Sequence, residues 1–148
     1  MIRPVRKVPA SVLLATILAG CAEPASSYAD YRNKAANSVK KMIGVVASGK
    51  LAAELDLQNK MLATLTDTVV TNAENDASSV QSSFDTRQPP DARSIRLKNV
   101  VDTPLQNATS QLTDLRIAVR RADQQAMQSA LDDLAKTTAA LSKLQEQL

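Results

Sequence analysis

The chain has 148 residues, 44% of them hydrophobic and 22% charged, with a formal net charge of +3. It contains no histidine, no tryptophan, one cysteine and three glycines. The absence of histidine excludes Ser-His-Asp and Cys-His catalytic groups and the histidine-containing sites that commonly hold zinc, copper or haem. An aromatic fraction of 2% leaves no row of rings on which the bases of a single-stranded nucleic acid could stack.

The first 21 residues have the three-part pattern of an export signal. Three basic residues precede an uncharged stretch from Val8 to Leu18, which ends in Leu18-Ala19-Gly20-Cys21. A basic start, an apolar middle of about ten residues and small residues at the exit are typical of a secretory signal peptide. The apolar stretch is shorter than the roughly 20 residues of a membrane-spanning helix, and Pro9 lies near its start. We therefore predict a cleaved signal at 1–20 rather than a retained anchor.

The motif Leu18-Ala19-Gly20-Cys21 resembles the lipobox of bacterial membrane lipoproteins. The resemblance implies cleavage just before Cys21 and a diacylglyceryl thioether on its sulfur. It also implies attachment to the cell membrane or the outer membrane, with the protein on the extracytoplasmic side. Several acyl chains hold a protein far better than one, since each buried methylene adds about 0.8 kcal/mol. From the residue alone, Cys21 could instead be a small core residue or a free thiol of an exported protein.

Removal of residues 1–20 changes the charge balance of the chain. That segment holds three basic residues and no acidic ones, so 15 basic and 15 acidic residues remain. A neutral balance gives no indication of nucleic-acid binding. The basic pairs Lys40-Lys41 and Arg120-Arg121 are isolated, and we interpret them as parts of solvated helix faces.

The remaining chain divides into a predicted lipidated tether at 21–27 and a predicted helical domain at 28–148. Beyond Cys21 there are two glycines, Gly44 and Gly49, among residues that favour helices. The first predicted helix runs from Tyr28 to Ser48, with Gly49 as a left-handed terminator. The second runs from Leu51 to Phe84. Its apolar residues form a near-heptad, coiled-coil-like stripe: Leu51, Leu55, Gln58, Leu62, Leu65, Val69, Asn72 or Ala73, Ala77, Val80 and Phe84.

The second half of the domain predicts two further helical segments. Asp91 and Asp123 are good N-caps for them. Pro104 interrupts the third segment, which is therefore one kinked helix over 92–121 or a short helix at 92–101 followed by another from 104. We favour the first alternative because the apolar register crosses Pro104 unchanged. Four segments that each carry one apolar stripe predict an all-α fold, an elongated antiparallel bundle of four helices.

The sequence predicts no catalytic residue, no cofactor-binding residue and no metal ligand. The acidic pairs Glu54/Asp56, Glu74/Asp76 and Asp132/Asp133 are one or two residues apart, so on a helix their side chains point in different directions. Four polar residues fall on or near the apolar stripes: Gln58, Asn72, Asp76 and Thr138. They either set the register of the bundle or line a groove between helices.

Two functions are compatible with this sequence. The first is a non-catalytic, lipid-anchored envelope protein that presents a helical surface to a protein or cell-wall partner. The alternative is a tethered ligand-binding module, a sensor or carrier of a small apolar or amphiphilic molecule. An enzyme is not expected, because the reactive residue types are missing.

Overall fold

The computed structural model describes residues 25–148, which form four helices and no strand. Their bounds are α1 Tyr28–Leu57, α2 Ala63–Asp85, α3 Ala92–Arg120 and α4 Gln124–Gln147. The predicted all-α bundle is confirmed. In this part of the chain, no helix combines the length and the apolar character that a membrane crossing requires. The predicted signal at 1–20 and Cys21 lie outside the described residues.

Successive helices are antiparallel, and α1 lies against all three others. α3 also contacts α2 and α4, whereas α2 and α4 have no close backbone contact with each other. The four helices therefore form a flattened bundle. α1 and α3 lie close together across its short diagonal, and α2 and α4 lie apart across the long one. The start of α1, the turn at 86–91, the start of α3 and the C-terminus together form one end, which we call the proximal end. The turns at 58–62 and 121–123 form the distal end, about 45 Å away along α1.

The two ends of α1 show why the helix begins and stops where it does. The Ser27 hydroxyl accepts a hydrogen bond from the Asp30 N–H, so α1 begins at Tyr28 as predicted. At its other end, α1 stops before Asn59, which has the left-handed backbone conformation with φ 55°. The N–H groups of Asn59 and Lys60 donate to the carbonyls of Asp56 and Leu55, which is the Schellman arrangement of a helix C-terminus.

The predicted boundary between the first two helices is wrong. Gly49 does not end α1 but lies within it, buried and without positive φ. The chain turns at 58–62 instead, where a continuous second helix was predicted. A new helix then starts at Ala63, and this shifts the buried face. Leu62 and Leu65 of the predicted stripe are 76% and 49% exposed. The buried residues of α2 are Thr66, Val70, Ala73, Ala77 and Phe84.

The third and fourth segments are helices within the predicted bounds. α3 is one helix that contains Pro104, and the alternative of two helices is not observed. Proline leaves the Val100 carbonyl without a helical donor. Val100 as a residue is 57% exposed. The side chains of Asp91 and Asp123 cap α3 and α4 by accepting from the N–H groups of Ser94 and Ala126.

The turn between α3 and α4 places a non-glycine residue in the left-handed region. Ala122 has φ 51°, and the N–H groups of Ala122 and Asp123 donate to the carbonyls of Val119 and Ala118. Glycine adopts this conformation without steric cost. We expect Ala122→Gly to raise the free energy of unfolding by about 1 kcal/mol in urea denaturation. Ala126→Gly, inside α4, is the matched control and should lower it; a loss at position 122 would contradict the prediction.

The core combines aliphatic residues with two of the three aromatic residues of the chain. Tyr31 and Phe84 are fully buried at the proximal end, with ring centroids 5.8 Å apart. Leu105, Leu112 and Leu115 continue this core along α3.

Tyr31 gives the bundle a dependence on alkaline pH. Its buried hydroxyl has no hydrogen-bond partner within residues 25–148, and burial raises its pKa from 10.0 to about 12. The un-ionised phenol therefore contributes stability that is complete below pH 10 and is lost as the pH rises to 12. We expect Tyr31→Phe to change stability at neutral pH by less than about 1 kcal/mol and to weaken the alkaline decline. Urea denaturation across this range tests it, with Tyr28→Phe as the control; an unchanged decline would contradict it.

A partly buried ion pair joins α2 to α3. Glu74 accepts hydrogen bonds from Arg116 and from the Thr113 hydroxyl, the latter at 2.7 Å. Burial alone would raise the pKa of Glu74, but these hydrogen bonds outweigh it and hold the pKa below the ordinary 4.5. The pair therefore stabilises the bundle above pH 4.5, and this contribution is lost as the pH falls.

We expect Glu74→Gln to cost about 1–2 kcal/mol at neutral pH, because hydrogen bonds to a charged group are the stronger ones. The variant should also lose less stability than the parent between neutral and acidic pH. Urea denaturation at several pH values measures both effects. Asp114→Asn, at an exposed position on α3, is the matched control. An identical acid response in parent and Glu74→Gln would contradict the prediction.

Candidate functional site

A groove runs along the outer side of the α1–α2 pair. The part towards the distal end, which we call the apolar section, has a volume of about 520 Å³. The part towards the proximal end, which we call the basic section, has a volume of about 290 Å³. Lys41, Ser79 and Val80 line both sections, so the groove is continuous.

Small residues keep the apolar section open. The section is lined by Lys41, Gly44, Val45, Ser48, Val69, Asn72, Ala73, Asp76, Ser79 and Val80. Gly44 is exposed, and a Cβ atom added there would meet no heavy atom within 4 Å. The glycine therefore serves no packing contact, although a glycine inside a helix costs about 0.5–1 kcal/mol relative to alanine. The half-buried side chains of Val45, Val69 and Val80 supply the apolar walls.

The basic section combines three cations with neutral hydrogen-bonding groups. It is lined by Lys34, Asn37, Ser38, Lys41, Ser79, Val80, Ser83 and Arg87. Lys34 pairs with Asp30 at 3.0 Å, and the hydrogen bond from Lys34 holds the pKa of Asp30 below its usual value. The Arg87 Nε donates to the Ser83 carbonyl at 3.1 Å, which holds the guanidinium against the end of α2. No carboxylate lines this section.

The structure brings two of the four polar stripe residues together. Asn72 and Asp76 both line the apolar section, as the groove interpretation predicts. Gln58 is the exposed C-cap of α1 and lies apart from them. Thr138 is half-buried in α4, where its hydroxyl donates to the Leu134 carbonyl at 2.7 Å. The buried threonine of α4 is its neighbour, Thr137.

The acidic pairs do not form acid-base couples. Glu74 faces α3 and binds Arg116, while Asp76 lines the groove on the other side of α2. Asp132 accepts from Gln128, and Asp133 pairs with Lys136. Between residues 25 and 148, no three acidic, cysteine or histidine side chains are grouped so that they could hold a metal ion. The groove offers apolar walls, three cations, one carboxylate and neutral hydrogen-bonding groups.

Sequence reasoning missed the cations of the groove. Lys34 and Lys41 are seven residues apart on α1, and Ser79 and Ser83 are four apart on α2, so each pair lies on one helix face. That spacing is a usable signal, but it becomes meaningful only when the two faces are known to adjoin. Arg87 follows α2 in a turn, where no helical periodicity could place it.

Comparisons with protein-family models, with curated proteins and with solved structures find no match for this chain.

Proposed function

We propose that the chain is a lipid-anchored, non-catalytic helical-bundle protein of the bacterial cell envelope. The observation that carries this proposal is Leu18-Ala19-Gly20-Cys21 at the end of a short apolar stretch with a basic start. The scarcity of reactive residue types supports a binding role rather than catalysis. Residues 25–148 supply the body that the anchor holds outside the cytoplasm.

Mass spectrometry of the protein isolated from a bacterial membrane tests the anchor. The expected chain begins at Cys21 and carries a diacylglyceryl mass on that residue, and Cys21→Ser should abolish both the added mass and the membrane association. Ala22→Ser, one position beyond the motif, is the matched control and should keep both. A chain that starts at Met1 with an unmodified thiol would overturn the proposal.

We infer that the surface offered to a protein or cell-wall partner is the distal end. A lipid on Cys21 would hold the proximal end near the membrane, since the tether of 22–27 reaches at most about 20 Å. Leu62 in the distal turn is 76% exposed, Leu65 in the first turn of α2 is 49% exposed, and Leu51, six residues before the end of α1, is 57% exposed. Exposed large apolar side chains towards one end of a bundle are candidates for a contact surface.

Photo-crosslinking in intact cells tests this surface. A crosslinking residue at position 62 should capture a discrete product, while the same residue at Lys143, on α4 near the proximal end, should not. Equal products from both positions, or none from position 62, would contradict a distal contact surface.

The groove between α1 and α2 supports a second function, the binding of a small apolar or amphiphilic molecule. Its apolar section has the size of a small-molecule site, and a polar section adjoins it. A ligand that binds the folded state raises the thermal unfolding midpoint. We expect such a rise with single-chain amphiphiles, and no rise in Gly44→Leu, whose side chain would occupy the apolar section.

A further inference from the structure

We propose that the α1–α2 groove binds an anionic phospholipid, with its phosphate-bearing head group in the basic section and acyl chain along the apolar section. This assignment rests on the proposed placement of the chain at a membrane. It adds to that proposal a specific ligand, an orientation for it and the residues that recognise it.

The distribution of charged residues along the groove determines the proposed orientation of the ligand. Lys34, Lys41 and Arg87 line the basic section, and Asp76 is the one carboxylate among the residues that line either section. Asp30, beside the groove, pairs with Lys34 at 3.0 Å, so Lys41 and Arg87 carry most of the attraction for an anion. Asp76 lies seven residues before Ser83 on α2, which is about 10 Å along the helix. An anionic group is therefore attracted to the cations of the basic section and repelled from the part of the apolar section beside Asp76.

The neutral groups of the basic section also suit a phosphate ester. The hydroxyls of Ser38, Ser79 and Ser83 can donate hydrogen bonds, and so can the amide of Asn37. Lysine and arginine bind phosphate oxygens through charge-assisted hydrogen bonds. Cations and neutral donors around one concave surface are the chemistry that recognises a phosphodiester.

Three arginines of the proximal end are available to an anionic membrane, at an end that also carries Asp30, Asp85 and Asp91. Arg32, Arg93 and Arg96 lie there in the first turns of α1 and α3. Within the described part of the chain, none of these three arginines forms an ion pair: Arg32 donates to the Gln147 carbonyl, and Arg93 lies 3.9 Å from the ring centre of Tyr28. Exposed cations near an anionic bilayer are attracted to it.

Thermal unfolding of the full chain tests the proposal, with one neutral detergent at the same concentration in every sample as the baseline from which each shift is measured. Dioctanoyl phosphatidylglycerol should raise the unfolding midpoint in a concentration-dependent way. Dioctanoyl phosphatidylcholine, which has the same tails but no net charge, should raise it less, and glycerol phosphate, which has no tail, should leave it unchanged. Lys41→Gln and Arg87→Gln should each weaken the apparent affinity for the phosphatidylglycerol about tenfold. Gly44→Leu should abolish the shift by filling the apolar section.

Lys143→Gln is the matched control, because it removes an exposed cation from α4, which does not adjoin α2. It should bind like the parent. Equal shifts with the two lipids, an equal shift with glycerol phosphate, or equal weakening by Lys143→Gln and Lys41→Gln would each overturn the proposal, as would no shift at all. The Cys21 modification is read by mass on the same sample, so failure of lipid recognition is distinguished from failure of the anchor.

Discussion

Leu112→Ala is expected to lower the free energy of unfolding by about 2–5 kcal/mol, the largest loss for any single substitution considered for this bundle. Leu112 is fully buried in the second half of α3, and its Cδ2 atom approaches the backbone of α1 at Gly49. Truncation to alanine removes apolar contacts between α3 and α1, the two helices that face each other across the short diagonal of the bundle. A cavity remains there, since α1 and α3 are held apart by their other side chains.

Urea denaturation followed by far-ultraviolet circular dichroism measures this effect. Leu62→Ala is the matched control, because Leu62 is 76% exposed and an exposed substitution of this kind changes stability by about 0.5 kcal/mol or less. Comparable losses in the two variants would show that Leu112 does not lie in the core described above.

The two glycines of α1 are expected to respond to the same substitution with opposite results. An added Cβ at Gly49 would lie 2.9 Å from Leu112 Cδ2 and 3.3 Å from Ala73 Cβ. Leu112 is fully buried and has little room to move, so Gly49→Val should lower stability by about 1–3 kcal/mol through overpacking. At Gly44 the added atoms enter open space, and Gly44→Val should leave stability unchanged or raise it by up to about 0.5 kcal/mol.

Parallel urea denaturation of both valine variants decides this prediction. Both substitutions change helix propensity equally, so the difference between the variants isolates packing from propensity. A loss at position 44 as large as that at position 49 would contradict the assignment of Gly49 to the contact of α1, α2 and α3.

The same two residues show where reasoning from the sequence succeeds and where it stops. A glycine at the end of an apolar stripe is compatible with a helix terminator and equally with a close contact between helices. The helix terminator was predicted, and the close contact is what the structure has. Asn59, a residue type that tolerates the left-handed conformation, carries the stop that Gly49 was expected to provide.

The half of the chain after Asp91 was predicted more accurately for a physical reason. Its two helices begin at aspartate caps, and its apolar stripe continues through Pro104 without a change of register. Capping and periodicity are local properties, so the sequence alone contains them. Before Asp91 the turn at 58–62 carries no proline or glycine, and the apolar residues continue through it.

By itself, the sequence determined the helical composition, the number of helical stripes and the two aspartate caps, because each depends on residues within a few positions of one another. It also carries the motif at Cys21, on which the proposed anchor rests. Only the tertiary structure decided which faces of α1 and α2 adjoin, and hence the groove that joins Asn72 and Asp76 to Lys34, Lys41 and Arg87. The reason is that a helix has a periodic face but no preferred neighbour, and the neighbour is chosen by packing among all four helices.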